Sequence, residues 1–323
     1  MGTVPRRAGG SVLLGTSSNL SRGLRPSRWN VALFFAVYFG AYVVAALLVP
    51  AVYGILRRCR GRILTSLGAY VLAHPFGRVY GRICWIPLAL GLLFLLKHCG
   101  LASWKKLGVH WRRWSQFLCF FLLGAALVAL MAAVRMIQFG WEWRSGFFCW
   151  KLFCPLASAL SIALLEEIVF RGLLLRFLCD SFGAPIALPC SGLFFAYVHF
   201  TGHSAIAFRG PSPTISDGFR AALDSLGAIR CDFQPMAFLS LFLLGLLLGS
   251  YFLRYRNLMA SIGFHSGAVF VLLASRRTVL LLAPSGPSLP KDLLSLFLCP
   301  LLLCILFSLH VHGTHKNSRR EGP

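Results

Sequence analysis

Five side chains in this sequence combine a residue type and a setting that could do chemistry. Glu166 and Glu167 stand side by side inside the apolar run Phe147 to Leu178, and Arg171 follows four residues after Glu167. His199 sits at the end of a second apolar run, in Phe-Ala-Tyr-Val-His, and His265 lies in a third, in Gly-Phe-His-Ser-Gly. A charged side chain at the centre of a bilayer costs at least about 2.5–3.5 kcal/mol. Two adjacent carboxylates cost more and repel each other, so something must compensate them. The four-residue spacing puts Glu167 and Arg171 on one helix face as an ion pair. Glu166 points about 100° away on a regular helix and is left for proton chemistry. Low dielectric favours its neutral acid and a nearby cation its carboxylate, and a general base emerges from that balance. A carboxylate and two imidazoles on three segments could activate a water. Glu166, His199 and His265 could equally hold a zinc ion and leave one coordination position open.

The residues resemble the motifs of a known family. Glu166-Glu167-Ile-Val-Phe-Arg171 looks like the E-E-x-x-x-R motif of the CPBP intramembrane proteases, the group of the type II CAAX prenyl proteases and the bacteriocin-processing proteins. Phe195-Ala-Tyr-Val-His199 is similar to the family's F-x-x-x-H, and His265 matches the histidine of its H-x-x-x-N/D. The resemblance covers about residues 105 to 274, with its motif core from Glu166 to His265. It implies an endopeptidase that cleaves a membrane-associated peptide or prenylated protein. In that role Glu166 activates a water, His199 and His265 position the water or stabilise the oxyanion, and Glu167, Arg171 and Phe195 support the site. The family is described both as metal-dependent and as metal-independent, so zinc stays open.

One position departs from the pattern. Val269 stands four residues after His265, where the family has Asn or Asp. Valine neither coordinates nor hydrogen-bonds, and Ser266 or Asn257 would have to fill the role. The departure supports an alternative reading, a non-catalytic scaffold or immunity-type protein of the same fold. A haem or proton-conducting protein using the two histidines leaves the two glutamates and Arg171 unexplained.

These side chains need membrane helices to carry them. The chain is 57% hydrophobic and only 13% charged, with a mean hydropathy of +0.73, whereas a soluble domain carries roughly 25% charged residues. Much of the surface must therefore face lipid. At about 20 apolar residues per crossing, the sequence predicts an all-α, polytopic transmembrane bundle of about eight segments. They are Val31 to Leu56, Ile83 to Leu96, Phe117 to Ile137, Phe147 to Leu178, Ala184 to Phe200, Met236 to Leu253, Leu258 to Ala274 and Leu293 to Val311. Leu64 to Val79 reads as an interfacial or re-entrant piece and Thr201 to Pro235 as a polar loop, with His203 at the mouth of the site. A basic tail (residues 1–30) precedes the transmembrane domain (31–311), and a polar tail (312–323) follows it. The N-terminal segment suits either a cytoplasm-side anchor or an organellar transit peptide.

The formal charge of +23 does not point to nucleic acid. The cations sit in short clusters between apolar runs, such as Lys105, Lys106, Arg112 and Arg113, which is where a membrane protein meets lipid headgroups. The membrane would be the cytoplasmic one in a bacterium, and the endoplasmic reticulum or an organelle in a eukaryote. The 11 cysteines contain no C-x-x-C and lie mostly in apolar runs, so they read as small hydrophobes. Gly245 and Gly249 flank three leucines, a spacing that lets helices pack closely.

Overall fold

The computed structural model describes residues 28–58, 74–143, 152–201, 212–227 and 234–281. Helix α1 (Arg28–Arg58) and α2 (Phe76–His98) form one antiparallel pair. A short helix α3 (Trp104–Leu107) and a 3-10 turn lead into α4 (Trp114–Phe139). Helix α5 (Phe153–Glu167) continues through a π-helical stretch (Ile168–Leu175) into α6 (Arg176–Phe182). Then come α7 (Ala184–Val198), α8 (Ile215–Gly227), α9 (Pro235–Tyr255) and α10 (Met259–Thr278). A three-residue antiparallel ribbon, β1 (Trp141–Trp143) with β2 (Val279–Leu281), ties the end of α4 to the end of α10. It leaves the fold all-α.

Among the described residues, six helical stretches are long and apolar enough to cross a membrane. Leu165, Leu90, Leu122 and Leu130 lie exposed on their outer faces, as lipid-facing side chains do. The protein is an integral multi-pass membrane protein. Helix α7 has 15 residues, which is about 22 Å at 1.5 Å each, too short to cross a core of about 30 Å alone. The expected span Leu293 to Val311, both chain tails, most of Leu64 to Val79 and His203 lie outside the described residues.

Two boundaries differ from the sequence reading. The second span is Phe76–His98 rather than Ile83 to Leu96. Arg78 and Arg82 lower the hydropathy of its first turns, but a long arginine stem can lie along apolar surface with its head in the interface. The stretch read as a polar loop from Thr201 to Pro235 contains α8. That helix is amphipathic and buries Gly218, Ala221, Ala222 and Ser225 against α1, at the spacing of one helix face. Its first turn is closed by a capping box. The Asp217 carboxylate accepts from the Thr214 N–H at 2.9 Å and from the Thr214 hydroxyl at 2.7 Å. Those two donors hold the Asp217 carboxyl below its ordinary pKa.

The packing that matters most for the site is α10 against α4 and α5. Helix α10 approaches α4 so closely that a Cβ at Gly263 or Gly267 would collide with the carbonyl of Phe117 or Phe121. Glycine at these two positions lets the backbone bearing His265 sit deep in the bundle.

Candidate active site

Glu166 and Glu167 lie at the last turn of α5, immediately before the π-helical stretch. On a helix, neighbours diverge by about 100°, and here that divergence separates two environments. The Glu167 side chain is wholly buried. Its Oε1 accepts from Arg171 Nη1 at 2.9 Å and faces His265 Nδ1 at 3.0 Å. Arg171, itself 1% exposed, also donates from Nη2 to the Gly245 carbonyl at 3.3 Å. Its guanidinium carbon lies 4.5 Å from the centre of the Phe195 ring. The ion pair, the carbonyl and the ring offset the burial of this arginine, while its Nε meets no hydrogen-bond partner among the described residues. The intrahelical pair drawn from the sequence is therefore present, and it is made across widened π-helical turns, a feature often found at functional sites.

Glu166 takes the other direction. Its side chain is 27% exposed, and its Oε2 stands 3.7 Å from His199 Nε2 and 3.8 Å from His265 Nε2. Both separations exceed hydrogen-bond length, and Glu166 Oε2 is buried with no hydrogen-bond partner among the described residues. His199 follows the last residue of α7, and its Nδ1 lies 2.8 Å from the Phe195 carbonyl. A carbonyl only accepts, so Nδ1 carries the proton and the neutral ring offers its Nε2 lone pair to Glu166. The Glu167 carboxylate fixes the same tautomer at His265. Phe195 thus has three tasks: it stacks on Arg171, holds the His199 tautomer and packs its ring 4.5 Å from that of His199.

The outcome is one carboxylate oxygen and two imidazole nitrogens around a small space, with no donor among them in the neutral state. A water about 2.8 Å from each atom fits beside that triangle. Zinc ligands at about 2.0–2.2 Å in a tetrahedron stand roughly 3.4 Å apart, closer than the separations seen here. Among the described residues, no three His, Cys, Asp or Glu side chains group as a metal site. As spaced here, the donor set cradles a water.

Ser266 and Asn257 do not replace the polar group missing at Val269. The Ser266 hydroxyl donates to the Ile262 carbonyl in its own helix at 2.7 Å. Asn257 donates to Gln116 and to the Tyr255 carbonyl, and accepts from the Met259 N–H, which places it at the start of α10. Gly245, read from sequence as packing only, has two parts here. A Cβ on it would come within 2.9 Å of Gly192 Cα in α7, and its carbonyl is an acceptor for Arg171.

Glu166 and His199 open into a cavity of about 400 Å³ between α1, α2, α5 and α7, walled by apolar side chains such as Phe34, Leu88, Ile162, Val169 and Phe194. No spacing in the sequence signals this cavity, because its walls come from helices far apart in the chain.

Residues 148–271 match the family model described as Rce1-like, type II CAAX prenyl endopeptidase Rce1-like. Comparisons with curated proteins and with solved structures give no match. The matched stretch takes in Glu166, Glu167, Arg171, Phe195, His199 and His265, while α1, α2 and α4 lie outside it. The match is to the segment that holds both glutamates and both histidines, and it is a likeness to type II CAAX prenyl endopeptidases over that segment.

Proposed function

We propose that the protein hydrolyses a peptide bond of a membrane-anchored, S-prenylated substrate, with water activated by Glu166. The observation that carries this reading is the unpartnered Glu166 Oε2 facing two imidazole nitrogens at the end of an apolar cavity. Water held by these three atoms gives a proton to Glu166 as its oxygen attacks the scissile carbonyl. The tetrahedral adduct collapses when the Glu166 acid passes that proton to the departing nitrogen. The hydroxyl stays on the new carboxyl and the amine leaves with the hydrogen, so the atoms balance.

His265 has a second task. With its Nε2 protonated from solvent before the attack, the ring donates to the developing oxyanion and keeps that proton when the adduct collapses. Glu167 and Arg171 do not touch the water. They fix the direction of His265 and the height of the helix that carries Glu166. The apolar cavity suits an isoprenyl chain, and its exposed rim residues Trp85 and Leu165 let such a chain enter from the lipid.

The test is cleavage of an S-farnesylated peptide by the purified full chain in lipid nanodiscs. Glu166→Gln is expected to abolish product while the protein remains folded. Equal product from wild type and Glu166→Gln would overturn the assignment. A second reading rests on Val269, which lies half-buried one turn beyond His265 and offers no donor. On that reading the chain binds prenylated proteins without cutting them. Retention of the farnesylated peptide by wild type, with no product at long times, would select it.

A further inference from the structure

The apolar cavity has one polar wall. Tyr38 and Tyr42 of α1 bring their hydroxyls to 3.2 Å of each other, and both reach Thr201, at 3.3 and 3.4 Å. Thr201 stands two residues beyond His199, so this wall adjoins the reactive groups. Two further hydroxyls line the same cavity, that of Tyr80, which donates to the Tyr42 carbonyl at 2.8 Å, and that of Ser225 of α8. The Ser225 side chain is fully buried and its Oγ has no hydrogen-bond partner among the described residues.

The protons of this wall can be accounted for one by one. Thr201 donates to the Val198 carbonyl at 2.8 Å and Tyr42 donates to Thr201. Tyr38 has one proton, which goes to Tyr42 or to Thr201. Ser225 alone keeps a donor with nowhere to send it, and a buried hydroxyl without a partner is costly. Tyr38 keeps oxygen lone pairs that accept from nothing on the wall. Among the described residues no lysine or arginine lines the cavity, so a carboxylate or phosphate would find no counter-charge among them. A peptide unit is neutral and supplies what is missing: a carbonyl to accept from Ser225 and an N–H to donate to a tyrosine oxygen.

We propose that Tyr38, Tyr42, Thr201 and Ser225 form a subsite for one backbone peptide unit of the substrate, beside the bond to be cut. This inference rests on the proteolytic reading above and assigns the polar end of the cavity to the polypeptide and the apolar remainder to the lipid chain. Specificity then comes from a difference of affinities. A free isoprenoid fills the apolar part only, whereas a prenylated peptide also satisfies the Ser225 hydroxyl.

The test measures binding to the full chain in nanodiscs, in a Glu166→Gln background so that the peptide is not consumed. The two probes are an S-farnesylated tetrapeptide and farnesol. Ser225→Ala is expected to weaken tetrapeptide binding about tenfold, to leave farnesol binding unchanged, and to leave the ligand-free thermal midpoint equal or raised, because it removes an unpartnered group. Tyr38→Phe, which keeps the ring, is expected to weaken the tetrapeptide alone. Unchanged tetrapeptide binding in both variants would overturn the subsite, as would equal loss for both probes. Wild-type chain that binds neither probe would instead remove the substrate reading on which the subsite rests.

Discussion

Glu166 and Glu167 are neighbours in the chain and opposites in the structure. Glu167 is sealed, shares one oxygen between Arg171 and His265, and is not among the described residues that line the cavity beside Glu166. Glu166 is partly open, reaches no donor, and lies on the wall of a cavity large enough for a substrate. One hundred degrees of helical rotation turns two identical side chains into a structural anchor and a candidate base. A buried charge held through one oxygen, as Glu167 is through Oε1 while its Oε2 meets no partner among the described residues, stabilises its surroundings only as long as that partner remains. A charge left without a partner has its lone pair available for a proton. The identity of a residue therefore says less about its role than the donors that meet it.

The contrast can be broken by separating activity from stability. The largest effect is expected at Glu166, where Glu166→Gln should lower cleavage of a prenylated peptide by about 10²–10⁴-fold and leave the thermal midpoint within a degree or two. His199→Ala and His265→Ala should also abolish cleavage, and full activity in all three variants would refute the site. Glu167→Ala should act the other way, through folding. It strands the Arg171 guanidinium and costs about 3–5 kcal/mol, read as low yield and a lowered midpoint in detergent. If Glu167→Ala folded as wild type does, the anchor half of the comparison would be lost.

Gly267→Leu tests whether His265 must sit as deep as it does. Its side chain would meet the Phe121 carbonyl, an overpacking that costs about 1–3 kcal/mol and moves α10 away from Glu167. Loss of cleavage with only modest destabilisation is the expected pattern. Val269→Asn sharpens the open side, since a donor one turn from His265 should raise turnover about tenfold if it reaches the oxyanion. No change would mean that the position lies off the reaction path.

The smallest effect lies far from the glutamates, at Asp217. Its folded-state pKa is depressed by the Thr214 donors, so its contribution is present above the ordinary carboxyl pKa and is lost as pH falls through the depressed value. Asp217→Asn should therefore cost under about 1 kcal/mol at neutral pH. The difference between the two midpoints should vanish in strong acid, and a gap that persisted there would refute the capping role.

Sequence alone settled the membrane class, because charge content and runs of about 20 apolar residues depend on composition and not on packing. It also settled the Glu167–Arg171 pair, because a four-residue spacing on a helix is local geometry. The motif order was enough to name Glu166, His199 and His265 as a set. Tertiary structure alone decided which of the two glutamates is enclosed, since that depends on α10 packing over one face of α5 while α9 meets the π-helical stretch that carries Arg171. The same holds for α8, hidden in a polar stretch because half of each turn faces water, and for the cavity with its hydroxyl wall. Tyr38, Thr201 and Ser225 are 163 and 24 residues apart along the chain. No spacing rule reaches across such distances, because only the packing of helices brings them to one surface.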